Sequence, residues 1–212
     1  MEHACQGRPT ARPQIDPEPT PPDKAAVRRR LRDARARKDA DERRREDDAR
    51  TARLVAWLAH RGPLRRVACY ESRGTEPDTA RVIGWLRAQG VAVLVPYGWQ
   101  GAGNGTAPPR WAVLDEPPVP PGDPMASGEA LANLDAILVP GLAGTRRGDR
   151  LGRGAGWYDR ALRQRPGRAP TVLLLWHDEV LATLPVEPHD VPVDYLATPD
   201  GVIATGATPF PG

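Results

Sequence analysis

The sequence predicts an α/β domain built on a mainly parallel sheet, and three observations carry that prediction. Residues 67–95 read as strand, helix and strand in succession, the pattern of a parallel pair joined by a right-handed crossover. Two further apolar runs, "AILV" at 136–139 and "TVLLL" at 171–175, flank a second helical segment. The closing stretch "VDYLATPDGVIATG" reads as two short strands around a Pro-Asp-Gly turn.

Taken in order, residues 1–22 are rich in proline and polar side chains without periodicity, which predicts a disordered tail ahead of a single domain over 23–212. From Asp23, a plausible N-cap, glycine and proline are absent until Gly62, and alanine and arginine dominate. Val27, Leu31 and Ala34 fall on one helical face, and Leu54, Val55 and Leu58 on another. Two helices over 23–60 follow, with a break near Asp39–Asp41. The mixed charges between them read as a solvated surface rather than an RNA-binding stripe, because the signs alternate. Val67–Tyr70 is the first strand. Val82, Ile83 and Leu86 line the next helix, Gly90 ends it, and 91–95 is the second strand. Residues 98–132 are loop-rich, with one short strand near Trp111–Leu114. A helix over Trp157–Gln164 precedes the strand at 171–175.

At 212 residues the chain is large enough for a real core, and its 27% charged and 40% hydrophobic composition is that of a globular protein. No apolar run reaches the length of a membrane span, and the N-terminal stretch lacks the apolar core of a secretory signal, so a cytoplasmic location is expected. Cys5, Cys69 and the four histidines show no zinc or disulfide spacing. The net charge of +3 suits small polyanions but is too small to argue for nucleic acid. Arginine supplies nearly all the positive charge. Lys24 and Lys38 are the only lysines, so either one in an anion site is notable.

The informative stretch is "RGDRLGRGAGWYDRAL" at 147–162, which follows the strand "AILV". Ligands of parallel α/β sheets sit beyond the carboxyl ends of the strands, where this loop falls. Gly152, Gly154 and Gly156 would let backbone wrap an anion closely. Arg150 and Arg153 can give paired hydrogen bonds to phosphate oxygens. The start of the following helix would add free N–H groups. Asp159, one turn into that helix, suits such a site only if a cation such as Mg²⁺ intervenes. The loop is neither a P-loop nor a full dinucleotide fingerprint. On bare chemistry a phosphate site and an ordinary connection with surface arginines both stay open.

"PGLAGTRRGDRLGRGAGWYDRAL" resembles the signature of the 5-formyltetrahydrofolate cyclo-ligase family, also called 5,10-methenyltetrahydrofolate synthetase. Three further pieces match in order: "KAAVR" at 24–28, "YESRGTEPDT" at 70–79 and "PVDYLATPDGV" at 192–202. The 98–130 segment matches poorly. The resemblance implies a three-layer fold of the sugar-phosphate isomerase/CoA-transferase-like type. It also implies ATP- and Mg²⁺-dependent closure of 5-formyltetrahydrofolate to 5,10-methenyltetrahydrofolate, with ADP and phosphate released, by a monomer with no nucleic-acid or membrane partner.

Residue by residue, the resemblance implies that Lys24 and Arg28 contact the nucleotide phosphates. Arg150, Leu151, Gly152, Arg153, Gly154, Ala155, Gly156, Trp157 and Tyr158 would wrap ATP, with Arg150 and Arg153 catalytic. Arg153 to Trp157 would also border the folate. Glu76 would bind its polar groups, with Tyr70 against the pterin. Asp159 and Asp194 would hold Mg²⁺. Trp157 stands where tyrosine or phenylalanine is usual, and Ala155 where glycine or lysine is common. Two rivals stay open: a non-catalytic nucleotide- or RNA-binding relative, and a ligase of the same fold with another substrate.

Overall fold

The computed structural model describes residues 23–98, 108–114 and 124–207. The expected 1–22 tail and most of the divergent 98–130 segment lie outside the described residues.

Two helices open the domain, α1 (Lys24–Arg37) and α2 (Ala40–Ala59). Asp39 separates them and caps α2, accepting from the backbone N–H groups of Asp41 and Glu42. Asp23 takes the N-cap position of α1, but only its backbone oxygen is used there. The βαβ unit follows as β1 (Arg66–Ala68), α3 (Ala80–Ala88) and β2 (Ala92–Tyr97). β1 and β2 are parallel, and Val82, Ile83 and Leu86 are buried. β3 (Arg110–Val113) and β4 (Met125–Ala126) extend that edge antiparallel, and α4 (Ser127–Ala130) is a single turn. β5 (Ala136–Val139), α5 (Trp157–Arg163) and β8 (Thr171–Leu174) form the second unit. β10 (Tyr195–Thr198) and β11 (Gly201–Ala204) close the other edge as a hairpin.

The main sheet has eight strands in the order β11-β10-β8-β5-β1-β2-β3-β4, with its five central strands parallel. From β1 the chain steps outward to β2. From β5 it steps the opposite way to β8. Right-handed crossovers running in opposite directions put α3 and α5 on opposite faces, which makes three layers. They also create a topological switch point between β1 and β5, and a crevice opens there at the carboxyl ends. The apolar runs of the central strands are buried throughout, as two covered faces require.

A second sheet was not expected. β6 (Ala143–Thr145), β7 (Arg150–Leu151) and β9 (Val180–Leu181) form it in the order β7-β6-β9. Its strands are two or three residues long, too short to show a period, and the β6–β9 pairing is long-range. Val27 and Leu31 of α1 pack on it with Leu142, Ala143, Leu151 and Leu184, a small core separate from the main one. Among the described residues no helix is long and apolar enough to cross a membrane.

Candidate active site

The cleft lies beside the switch point, beyond the carboxyl end of β5. Lys24 and Arg28 of α1, Pro140, the loop from Arg150 to Asp159, His189 and Asp190 line it, and its empty volume is about 600 Å³ including the open mouth. Lys24 and Arg28 are one helical turn apart on the α1 face that meets the loop. Arg28 Nε donates to Gly152 O (3.0 Å), and Arg32 Nη2 to Arg153 O (2.7 Å).

The loop conformation depends on its glycines. Gly154 has φ +111° and Gly156, which caps α5, has φ +62°, both in the region that side chains disfavour. The Arg28 guanidinium lies 3.7–3.8 Å from where a Gly154 side chain would begin. α5 has only seven residues, so its dipole is small; cationic side chains supply most of the positive field.

Arg150 is buried. Its Nη2 donates to Asp159 Oδ1 (2.6 Å) and its Nη1 to Pro140 O (3.2 Å), which ties the loop to the end of β5. Asp159 Oδ1 also accepts from the Val191 N–H (3.2 Å). Burial opposes charge on this carboxyl, but Arg150 and the N–H donor outweigh it and hold the group below the ordinary aspartate value. Leu151 borders the cleft and is also a member of the small core. Ala155 O accepts from Arg160 Nη1 (3.0 Å).

Arg153 crosses the switch point. Its Nη1 donates to Glu76 Oε1 (2.8 Å) in the loop after β1, and Glu76 Oε2 accepts from the Arg73 N–H (2.9 Å). Trp157 and Tyr158 are buried against Trp111, with ring centroids 5.0 and 6.1 Å away. The Tyr158 hydroxyl is buried with no hydrogen-bond partner among the described residues, and burial raises its pKa well above the ordinary tyrosine value.

Two expected site residues are not brought to the cleft. Tyr70 is fully buried, and its hydroxyl donates to Pro77 O (2.8 Å), bracing the loop that carries Glu76. Asp194 precedes β10 at the amino edge of the sheet, opposite the cleft. Its Oδ2 accepts from the Thr171 N–H and Oγ1, both at 2.8 Å. Its role there is to hold β10 against β8.

The carboxylate that lines the cleft together with Asp159 is Asp190. Its Oδ2 accepts from Lys24 Nζ (2.6 Å) and the Glu187 N–H (2.7 Å), while Glu187 Oε2 takes a second bond from Lys24 (2.7 Å). Burial opposes charge on Lys24, but both carboxylates outweigh it and raise its pKa. Glu187, His189 and Asp190 each bring a ligand atom within 4.8 Å of the others. The "EPHD" stretch carries them, and Asp194 follows Asp190 with three residues between. Without coordinates, either aspartate fits a C-terminal carboxylate.

The hard-oxygen donor set suits Mg²⁺. Arg150 and the Val191 N–H bond Asp159 at Oδ1, and Lys24 and the Glu187 N–H bond Asp190 at Oδ2.

Comparison with known proteins follows the same line. The model of the 5-formyltetrahydrofolate cyclo-ligase family matches residues 20–199. The 5-formyltetrahydrofolate cyclo-ligase of Mycolicibacterium smegmatis is 34% identical over 165 residues, 71% of this chain and 83% of that protein. That of Mus musculus is 27% identical over 192 residues, 84% of this chain and 92% of that protein. The 5,10-methenyltetrahydrofolate synthetase structure from Mycoplasma pneumoniae superposes with a TM-score of 0.68 at 21% identity, covering 84% of this chain and 99% of that one. The Aquifex aeolicus synthetase gives 0.68 at 24%, covering 85% and 92%. These two show the fold.

Proposed function

The chain belongs to the 5-formyltetrahydrofolate cyclo-ligase family, and from that premise we propose that it closes 5-formyltetrahydrofolate to 5,10-methenyltetrahydrofolate at the expense of ATP, with the cleft at the switch point as its active site. One observation carries the reading. Lys24 and Arg28 meet the Arg150–Asp159 loop across more than a hundred residues of sequence, in one cleft that also reaches Glu76 through Arg153.

A formamide oxygen is a poor leaving group. In the proposed reaction it attacks the γ-phosphorus, and ADP leaves. N10 of the folate then attacks the activated carbon, the N5–C–N10 ring closes, N10 loses its proton, and phosphate departs. Such a sequence needs positioned charge rather than a protein nucleophile. Lys24 and Arg28 are assigned to the nucleotide phosphates, with the Leu151–Tyr158 backbone wrapped around them. Arg153 sits between nucleotide and folate and stabilises the charge that develops on transfer. Arg150 acts through Asp159 and the Pro140 carbonyl, which it holds in place. Glu76 accepts hydrogen bonds from the pterin side, and Trp157 with Trp111 supplies an apolar wall. Asp159 and Asp190, rather than Asp194, are the carboxylates for Mg²⁺, which when bound neutralises phosphate charge. The proposed enzyme is a monomer of the cytoplasm.

The test is direct. Purified protein is mixed with 5-formyltetrahydrofolate, ATP and Mg²⁺, and the near-ultraviolet absorbance of the methenyl product is followed. ATP-dependent growth of that band is expected. A flat trace from folded protein that still binds ATP would move the assignment to a non-catalytic or different-substrate relative.

A further inference from the structure

Three buried residues that do not line the cleft join its two sides. Arg35, Trp176 and Glu179 are 3%, 1% and 2% exposed. Glu179 grips Arg35 with both oxygens, Oε1 to Nε at 2.5 Å and Oε2 to Nη2 at 2.8 Å. Oε2 also accepts from the Trp176 backbone N–H (3.0 Å). Arg35 Nη2 donates in addition to Gly141 O (2.6 Å), next to the Pro140 that anchors Arg150. At the far end, Trp176 Nε1 donates to Thr75 O (3.1 Å), one residue before Glu76. The Trp176 ring is held by the Arg50 guanidinium at 5.0 Å and Lys38 Nζ at 5.5 Å.

These contacts close a ring. Glu76 meets the Arg153 side chain, the Arg153 carbonyl meets Arg32 on α1, and α1 returns through Arg35, Glu179 and Trp176 to Thr75. Arg28 and Arg35 are two helical turns apart, so the hold on Arg35 sets where Arg28 stands along the cleft. A bidentate pair buried this deeply gives little net stability compared with well-packed apolar side chains, because both ions lose their water. It does, however, fix direction and distance, which apolar packing does loosely.

We infer that Arg35, Glu179 and Trp176 are positioning residues, a strut that fixes the spacing between the nucleotide-side cations of α1 and the folate-side Glu76. The inference rests on the function proposed above. Arg35 and Glu179 set the α1 side, Glu179 also holds the Trp176 backbone, and the Trp176 indole N–H sets the Glu76 loop.

The experiment is steady-state kinetics on the full chain, well below the melting temperature, for Trp176→Phe, Arg35→Lys and the double variant Arg35→Met with Glu179→Leu. The double variant keeps the volume apolar, so it avoids stranding a buried charge. Trp176→Phe is expected to raise KM for 5-formyltetrahydrofolate about tenfold and leave KM for ATP within about twofold, the scale of one lost, well-placed hydrogen bond. Arg35→Lys is expected to do the reverse. The double variant is expected to raise both KM values while melting near the wild type. A double variant with both KM values unchanged would show that the trio only fills space, and the inference falls. Equal changes in both KM values for the two single variants would also overturn it. Wild-type protein that forms no methenyl product overturns the proposed function, and this inference with it.

Discussion

Asp159 does two things at once, and that decides how its substitution will read. It lines the cleft, where it is proposed as a carboxylate for Mg²⁺, and it holds Arg150 at 2.6 Å. Asp159→Asn keeps the shape but removes the charge. Mg²⁺-dependent turnover is expected to fall by about a hundredfold or more, the scale of losing an electrostatic stabiliser of the transition state, and unchanged turnover would remove Asp159 from the site. The same carboxyl predicts a pH signature. Its folded pKa lies below the unfolded value, so its stabilisation is present above the ordinary aspartate pKa and is lost as pH falls through the depressed one. The wild type should therefore exceed Asp159→Asn in denaturant unfolding at neutral pH, and the gap should close as the pH falls through the depressed value. Lys24 is the other informative side chain. It is already held by Asp190 and Glu187. Lys24→Ala should weaken ATP binding by about 1.5–3 kcal/mol, read by calorimetry, the scale of a charge-assisted hydrogen bond. Equal affinity would return Lys24 to a purely structural ion pair.

At the scale of elements, α1 depends on a core of its own. Val27 and Leu31 bury against the small sheet rather than the main one. Leu31→Ala should cost about 2–5 kcal/mol. Hydrogen exchange should rise most in α1 and β6, while β5 and β8 stay protected. Uniform loss of protection would mean that the two cores unfold as one. α3 offers the opposite case. Gly84 lies inside that helix with nothing within 4 Å of where a Cβ would stand, and its φ is not positive. Gly84→Ala should stabilise the protein by about 0.5–1 kcal/mol, measured as a raised denaturant midpoint without change in slope.

For the whole molecule, the cleft sits between the two cores, with α1 and the small sheet on one side and the end of β5 with the start of α5 on the other. A ligand that bridges them stabilises both together. ATP with Mg²⁺ at a hundredfold over Kd should add about 2.7 kcal/mol, which raises the melting temperature by about 5–10 °C in a chain of this size. A melting curve that does not move with ATP would contradict a nucleotide site there.

What could be read from the chain alone was whatever is encoded locally or by close repetition. The βαβ unit, the buried runs of β5 and β8, the break at Asp39 and the hairpin around Pro199–Gly201 follow from periodicity and turn chemistry within short windows. The glycine and arginine loop offered an anion site by its residue types, with an ordinary strand-to-helix connection as the other reading. Tertiary structure alone decided what depends on pairings between distant segments. The strands of the small sheet are too short to leave a pattern. Asp190 and Asp194 look alike in sequence, and only the sheet's direction sends one to the cleft and the other to the opposite edge. Tyr70 has the right residue type, but its hydroxyl meets the Pro77 carbonyl first. Arg35 and Glu179, 144 residues apart, carry no local signal at all; their pairing exists because α1 lies across the carboxyl edge of the sheet.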